Sequence, residues 1–140
     1  MKYILLTVII SIVSSCSAQK NSVTDELTGT QWFLVELKGK KIETDPAAAK
    51  NPYILLEQGD STFTGFGICN VFSGTYKLTD SSLSFNAAVV TEIACLDYRI
   101  EQHMMEMFNN VTGYYFEDKY LILYTGNRTV IARLKVKKPE

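Results

Sequence analysis

Three cysteines and a single histidine are the residues of this 140-residue chain with the sharpest potential chemistry. Cys16, Cys69 and Cys95 are too widely spaced for a C-x-x-C redox centre, and no Cys/His cluster has the spacing of a zinc site. His103 stands at the edge of an apolar stripe and reads as a packed or surface histidine rather than a general base. Glu101 and Glu106 are the carboxylates closest to an acid–base pair, but five residues apart on a helix they face different directions, as solvated charges do. Met104, Met105 and Met107 suit core gaps better than copper, which recruits more thioethers or imidazoles. No G-x-S-x-G, H-E-x-x-H or phosphate-loop pattern occurs. The expectation is therefore no catalytic residue, no metal, no cofactor and no enzyme.

Composition narrows the partners. The chain carries 14 Lys and Arg against 15 Asp and Glu, with 46% hydrophobic residues. That apolar fraction can build the core of one domain, and no acidic or Pro/Gly-rich bulk points to disorder. Without a basic excess to neutralise a phosphate backbone, nucleic acid is not an expected partner.

The N-terminus reads as an address. Lys2 supplies a short positive start, and residues 3–13 form an apolar run interrupted by Thr7 and Ser11. A membrane-spanning helix needs about 20 apolar residues, so this run has the length of a signal peptide. Val13-Ser14-Ser15-Cys16 follows and resembles a bacterial lipobox, in which the cysteine thiol receives lipid and becomes the new N-terminus. Several acyl chains at ~0.8 kcal/mol per buried CH₂ would anchor the protein durably. Ser17, rather than Asp, after the cysteine matches sorting to the outer membrane. Residues 1–15 are thus the leader, and residues 16–26 a polar, lipidated tether. With Cys16 committed to lipid, Cys69 and Cys95 remain in a compartment where disulfides persist. A structural disulfide between them, favoured over two buried free thiols, would constrain the unfolded chain by roughly 3.5 kcal/mol.

The elements that must position these residues are mostly strands. Period-two patterns run over 31–37, 53–57, 62–66, 72–78, 83–85, 89–93, 114–116, 120–124 and 129–136. In the first, Phe33, Val35 and Leu37 point one way and Trp32, Leu34 and Glu36 the other. Residues 44–52, with two of the three prolines, read as a loop, and Gly126-Asn127 as a hairpin turn. Gly65, Gly67 and Gly74 within β-type sequence point to bulges, bends or close backbone approach. The period then changes: Ile100, His103, Met104, Met107, Phe108 and Val111 form one helical stripe, with Asp97 as its N-cap and Gly113 just past its end. So many short strands at this length curl and close, which predicts a mainly β fold: a small antiparallel barrel with one inserted amphipathic helix.

Three spaced motifs carry a family resemblance. Leu27-Thr28-Gly29-Thr30-Gln31-Trp32, then residues 67–76 (Gly-Ile-Cys-Asn-Val-Phe-Ser-Gly-Thr-Tyr), then Thr91-Glu92-Ile93-Ala94-Cys95 together resemble the META domain, with Glu101 where that family has a helix glutamate. The resemblance covers residues 27–136. It implies a barrel of lipocalin topology in the cell envelope, and a link to stress or drug tolerance. Ile68 stands where the family usually has glycine, which leaves the bend to Gly67. The motif residues themselves read as structure before recognition. Asn70 suits a left-handed turn, Gly74 and Tyr76 suit close packing with the phenol reaching a backbone group, and Trp32 suits the core. As a recognition surface, Asn70, Tyr76 and Thr91 are the alternative.

Two function classes follow. The first is a monomeric, non-enzymatic envelope lipoprotein that supports stress or drug tolerance by touching an unidentified envelope protein, with Tyr98, Tyr114 and Tyr115 as surface aromatics. The second is a binding module, either a carrier of a small hydrophobic ligand or an inhibitor of an extracellular hydrolase such as lysozyme. The bulky interior candidates Trp32, Phe33, Phe63, Phe66 and Phe72 favour the first, because they would fill a barrel. Replacing Cys16 by Ala is expected to move the protein from the membrane fraction to soluble or uncleaved forms; unchanged fractionation removes the anchor.

Overall fold

The computed structural model describes residues 26–43, 51–91, 94 and 98–136. The leader, the tether as far as residue 25, most of the 44–52 loop, Cys95 and Asp97 lie outside the described residues. The elements are β1 (Gln31–Leu37), β2 (Lys40–Lys41), β3 (Tyr53–Leu56), β4 (Thr62–Phe66), β5 (Val71–Leu78), β6 (Leu83–Val90), α1 (Arg99–Asn110), β7 (Val111–Glu117), β8 (Tyr120–Thr125) and β9 (Val130–Val136). All strand pairs are antiparallel, in the order β6-β5-β4-β3-β1-β9-β8-β7, with the short β2 hydrogen-bonded to β1. This is the expected architecture: a nearly closed antiparallel barrel with an inserted helix. The first strand lies mid-sheet beside the last, with Trp32 opposite Val136.

Two differences from the sequence pattern have clear causes. In β1 the register with β9 slips between Leu34 and Glu36, so Val35 is an extra residue. A bulge re-aims everything after it, and Trp32, Leu34 and Leu37 point into the core while Phe33 packs outside against Tyr53. Phe66 also lies on that outer side, stacked on Tyr53 at 6.2 Å, so neither it nor Phe33 fills the barrel. Residues 83–90 form one strand, not two. The sequence at its middle lacks an apolar alternation, and the ladder to β5 runs on either side of a register slip near Gly74.

The helix closes the interior. Ile100, Met104, Met107 and Phe108 do lie on one stripe, of which Met104, Met107 and Phe108 are fully buried. The Phe108 ring lies 4.9 Å from Phe63, 5.0 Å from Phe85 and 5.4 Å from Phe72, in the tilted and edge-on arrangements that aromatic rings favour. The helix N-cap is Tyr98, without a side-chain capping bond, and the chain passes from Asn110 directly into β7. Gly113 therefore does not follow the helix as a cap; it belongs to a strand.

Its role there is to let the barrel's seam close. β6 and β7 are the two ends of the sheet and face each other without a ladder between them. Two phenols cross the gap instead: Tyr114 donates to the Thr79 carbonyl (3.0 Å) and Tyr124 to the Ser81 carbonyl (3.2 Å). Tyr114 is thus a buried bridge rather than a surface aromatic. Burial first, and the Asp80 carboxylate second, hold its phenol above the usual tyrosine range. The Tyr124 ring passes where a side chain at position 113 would stand: a Cβ on Gly113 would collide with its phenol and lie 2.8 Å from the Ser81 carbonyl oxygen. Gly113→Ala is expected to cost about 1–3 kcal/mol, the range of an overpacked core, against about 1 kcal/mol for Tyr124→Phe. In a Tyr124→Ala background the glycine substitution should lose part of its effect in denaturant unfolding, the remainder coming from the Ser81 carbonyl oxygen.

Candidate functional site

The pole of the barrel that holds the motif residues is organised by one carboxylate. Residues 67–70 form a tight turn between β4 and β5, closed by a hydrogen bond from the Gly67 amide to the Asn70 carbonyl (2.9 Å). Such a turn leaves successive amides pointing the same way with no strand partner. Helix α1 supplies the acceptor. Glu101, in its first turn, is only 5% exposed, and its Oε1 accepts from the amides of Ile68 (2.9 Å), Cys69 (2.9 Å) and Asn70 (3.4 Å). An acidic group there also complements the positive end of the helix dipole. Among the described residues, Glu101 Oε2 has no hydrogen-bond partner.

This corrects the reading of Glu101 as a solvated charge; Glu106 alone is exposed, 2.6 Å from Lys38. The Lys38 hydrogen bond holds the Glu106 carboxyl below its usual range. The roles of Gly67 and Asn70 also differ from those expected. Neither residue has a left-handed backbone. Gly67 is required because a Cβ would sit 2.6 Å from Glu101 Oε1 and 2.8 Å from the carboxyl carbon. Asn70, buried, accepts through Oδ1 from the Thr91 hydroxyl (3.0 Å), and the same hydroxyl accepts from the Val71 amide (3.1 Å). Thr91 and Asn70 thus lock the end of β6 to the start of β5.

The remaining motif residues lie elsewhere. Trp32 is buried, donating through Nε1 to the Leu27 carbonyl (3.0 Å) and packing on Phe116. Gly74 lies at the β5–β6 register slip. The Tyr76 phenol donates to the Glu57 carbonyl (2.7 Å), and burial, then the Asp60 and Glu57 carboxylates, raise it above the usual tyrosine range. Cys69 is disulfide-bonded, and since Cys16 and Cys95 are the other cysteines, its partner lies outside the described residues. His103 lines a hollow of about 300 Å³ with Lys40, Lys41 and Ile42, which Ile68 of the turn also borders. What sequence reasoning missed is the role of Glu101 as an acceptor; the family resemblance marked its position but not the turn amides it binds.

Around this frame the surface is apolar. Ile68 (52%), Val71 (43%), Val89 (65%) and Tyr98 (58%) are exposed. Val89 pairs with Ser73, which places it diagonally from Val71 on the outer face. Tyr98, Thr91, Asn70, Glu101 and Met105 line an adjoining open cleft of about 380 Å³.

The family model for the META domain matches residues 25–138. Among solved structures, the fold is similar to a protein studied by NMR (21% identity, 80% of this chain and 92% of that one, TM-score 0.62). It is also similar to an NMR structure from Burkholderia xenovorans (19%, 94% and 100%, 0.61). A crystal structure of a DUF4847 family protein from Bacteroides vulgatus is a third relative in fold (16%, 85% and 100%, 0.60). No curated protein matches the chain. Glu101→Ala, which orphans the turn amides, is expected to cost about 1–3 kcal/mol. Glu101→Gln, which keeps an acceptor, should cost less. Denaturant midpoints and hydrogen exchange at Ile68 and Cys69 check both.

Proposed function

The chain belongs to the META domain family, and on that footing we propose that it is a non-enzymatic lipoprotein of the bacterial envelope. In this reading lipid on Cys16 holds a monomeric barrel at the outer membrane, and the barrel supports tolerance of envelope stress or drugs by touching other proteins. The observation that carries it is the apolar pole: Ile68, Val71, Val89 and Tyr98 stand exposed around a turn that Glu101 and Thr91 hold rigid. A rigid patch with an exposed aromatic at its edge has the make-up of a protein-contact surface, where little ordering entropy is lost on binding. The disulfide at Cys69 supports an oxidising compartment. We assign its partner as Cys95, which would join the Glu101-bound turn to the segment entering α1. The rings of Phe63, Phe72, Phe85 and Phe108 occupy the barrel interior, which favours contact over carriage of a hydrophobic ligand. A photo-crosslinking residue at Tyr98 in the native host is expected to capture a discrete envelope protein. The same probe at Lys119 should not, and Val89→Arg should abolish the Tyr98 adduct. Identical adducts from both positions would falsify the assignment of this surface.

A further inference from the structure

At a different place on the molecule, and independently of the reading above, we propose that the cleft over the β6–β7 seam binds a saccharide. The cleft measures about 450 Å³, within the range of small-molecule sites. Its walls come from three segments that the fold brings together: the 79–82 turn, β7, and β8 with the turn after it. The walls are fixed in advance, because the phenols of Tyr114 and Tyr124 are hydrogen-bonded to the carbonyls of Thr79 and Ser81.

Three features of the lining select the ligand. The first is an aromatic platform. Tyr115 is 41% exposed, and its ring lies 6.1 Å from that of Tyr124 at an angle of 36°. The second is a cation held against that platform: the Arg128 guanidinium carbon lies 5.5 Å over the Tyr124 ring. Arg128 has a left-handed backbone (φ 56°), a conformation glycine adopts without strain. The third is an anion across the same cleft, Asp80. Among the described residues neither Asp80 nor Arg128 forms an ion pair.

A carboxylate only accepts hydrogen bonds and a guanidinium only donates them. An anionic ligand would meet Asp80, and a cationic one would meet Arg128. A hydroxyl both donates and accepts, so a ring bearing several hydroxyls satisfies both side chains without bringing a charge of its own. Such a ring also presents a C–H face, which packs on an exposed aromatic ring and removes apolar surface from water. A neutral sugar unites these properties.

The test is a titration of the full chain, purified in a detergent without a sugar headgroup and followed by amide NMR. The probes are chitotriose, maltotriose and cellotriose, each to 10 mM, with the open-chain polyol mannitol as control. At least one trisaccharide is expected to give saturable shifts confined to residues 79–82, 114–116 and 124–129, while mannitol gives none. Tyr115→Ala, which touches no seam hydrogen bond, should weaken that binding tenfold or more with the thermal midpoint retained. Arg128→Gly, which suits the local backbone, should weaken it as well. Three trisaccharides without a saturable shift, equal shifts with mannitol, or a Tyr115→Ala variant that binds like the parent would each overturn the proposal.

Discussion

A carboxylate withdrawn from water is tolerated only where hydrogen bonds replace its hydration, and the motif-bearing pole of this barrel is arranged around one such group. Glu101 reaches from the first turn of α1 into the 67–70 turn, where three amides converge on a single oxygen. The dependence runs both ways. Without the carboxylate the amides would be partly buried donors lacking partners, and without the turn the glutamate would be a stranded charge. Because α1 also carries Phe108 into the ring cluster of the interior, the same contact fixes how the helix enters the barrel.

The opposite problem, closing a sheet whose end strands do not pair, is solved with side chains. Backbone ladders hold each neighbouring pair from β6 round to β7, and the last gap is bridged by Tyr114 and Tyr124. The glycine at 113 leaves the space that one of those rings needs. Rigid aromatic bridges leave a recess beside them, which is why a cleft lined by Tyr115, Asp80 and Arg128 sits over the seam rather than over a laddered part of the wall.

Local patterns were legible in the sequence and distant partnerships were not. The hairpin at Gly126-Asn127 and the stripe through Met104, Met107 and Phe108 depend on neighbours within a few residues, so periodicity and turn chemistry found them. The motif of the META domain identified the family over nearly the whole domain. Glu101 could not be placed, since its acceptor role joins positions 31 to 33 residues apart. The phenols of the seam reach across 35 and 43 residues. The bulge at Val35 was hidden for another reason: a single added residue leaves the apolar alternation readable while reversing the face of everything after it.

The placement of β1 beside β9 has a topological consequence. Trp32 faces Val136, so the first strand starts and the last strand finishes within one strand spacing, about 4.8 Å, at a single rim. A fold of this kind is closed as a path through space as well as in its sheet. A short linker across that rim would join its two ends, and new ends could then be opened at an exposed hairpin such as 117–120 with every ladder intact. The order in which the strands are synthesised is in this sense separable from the architecture they build.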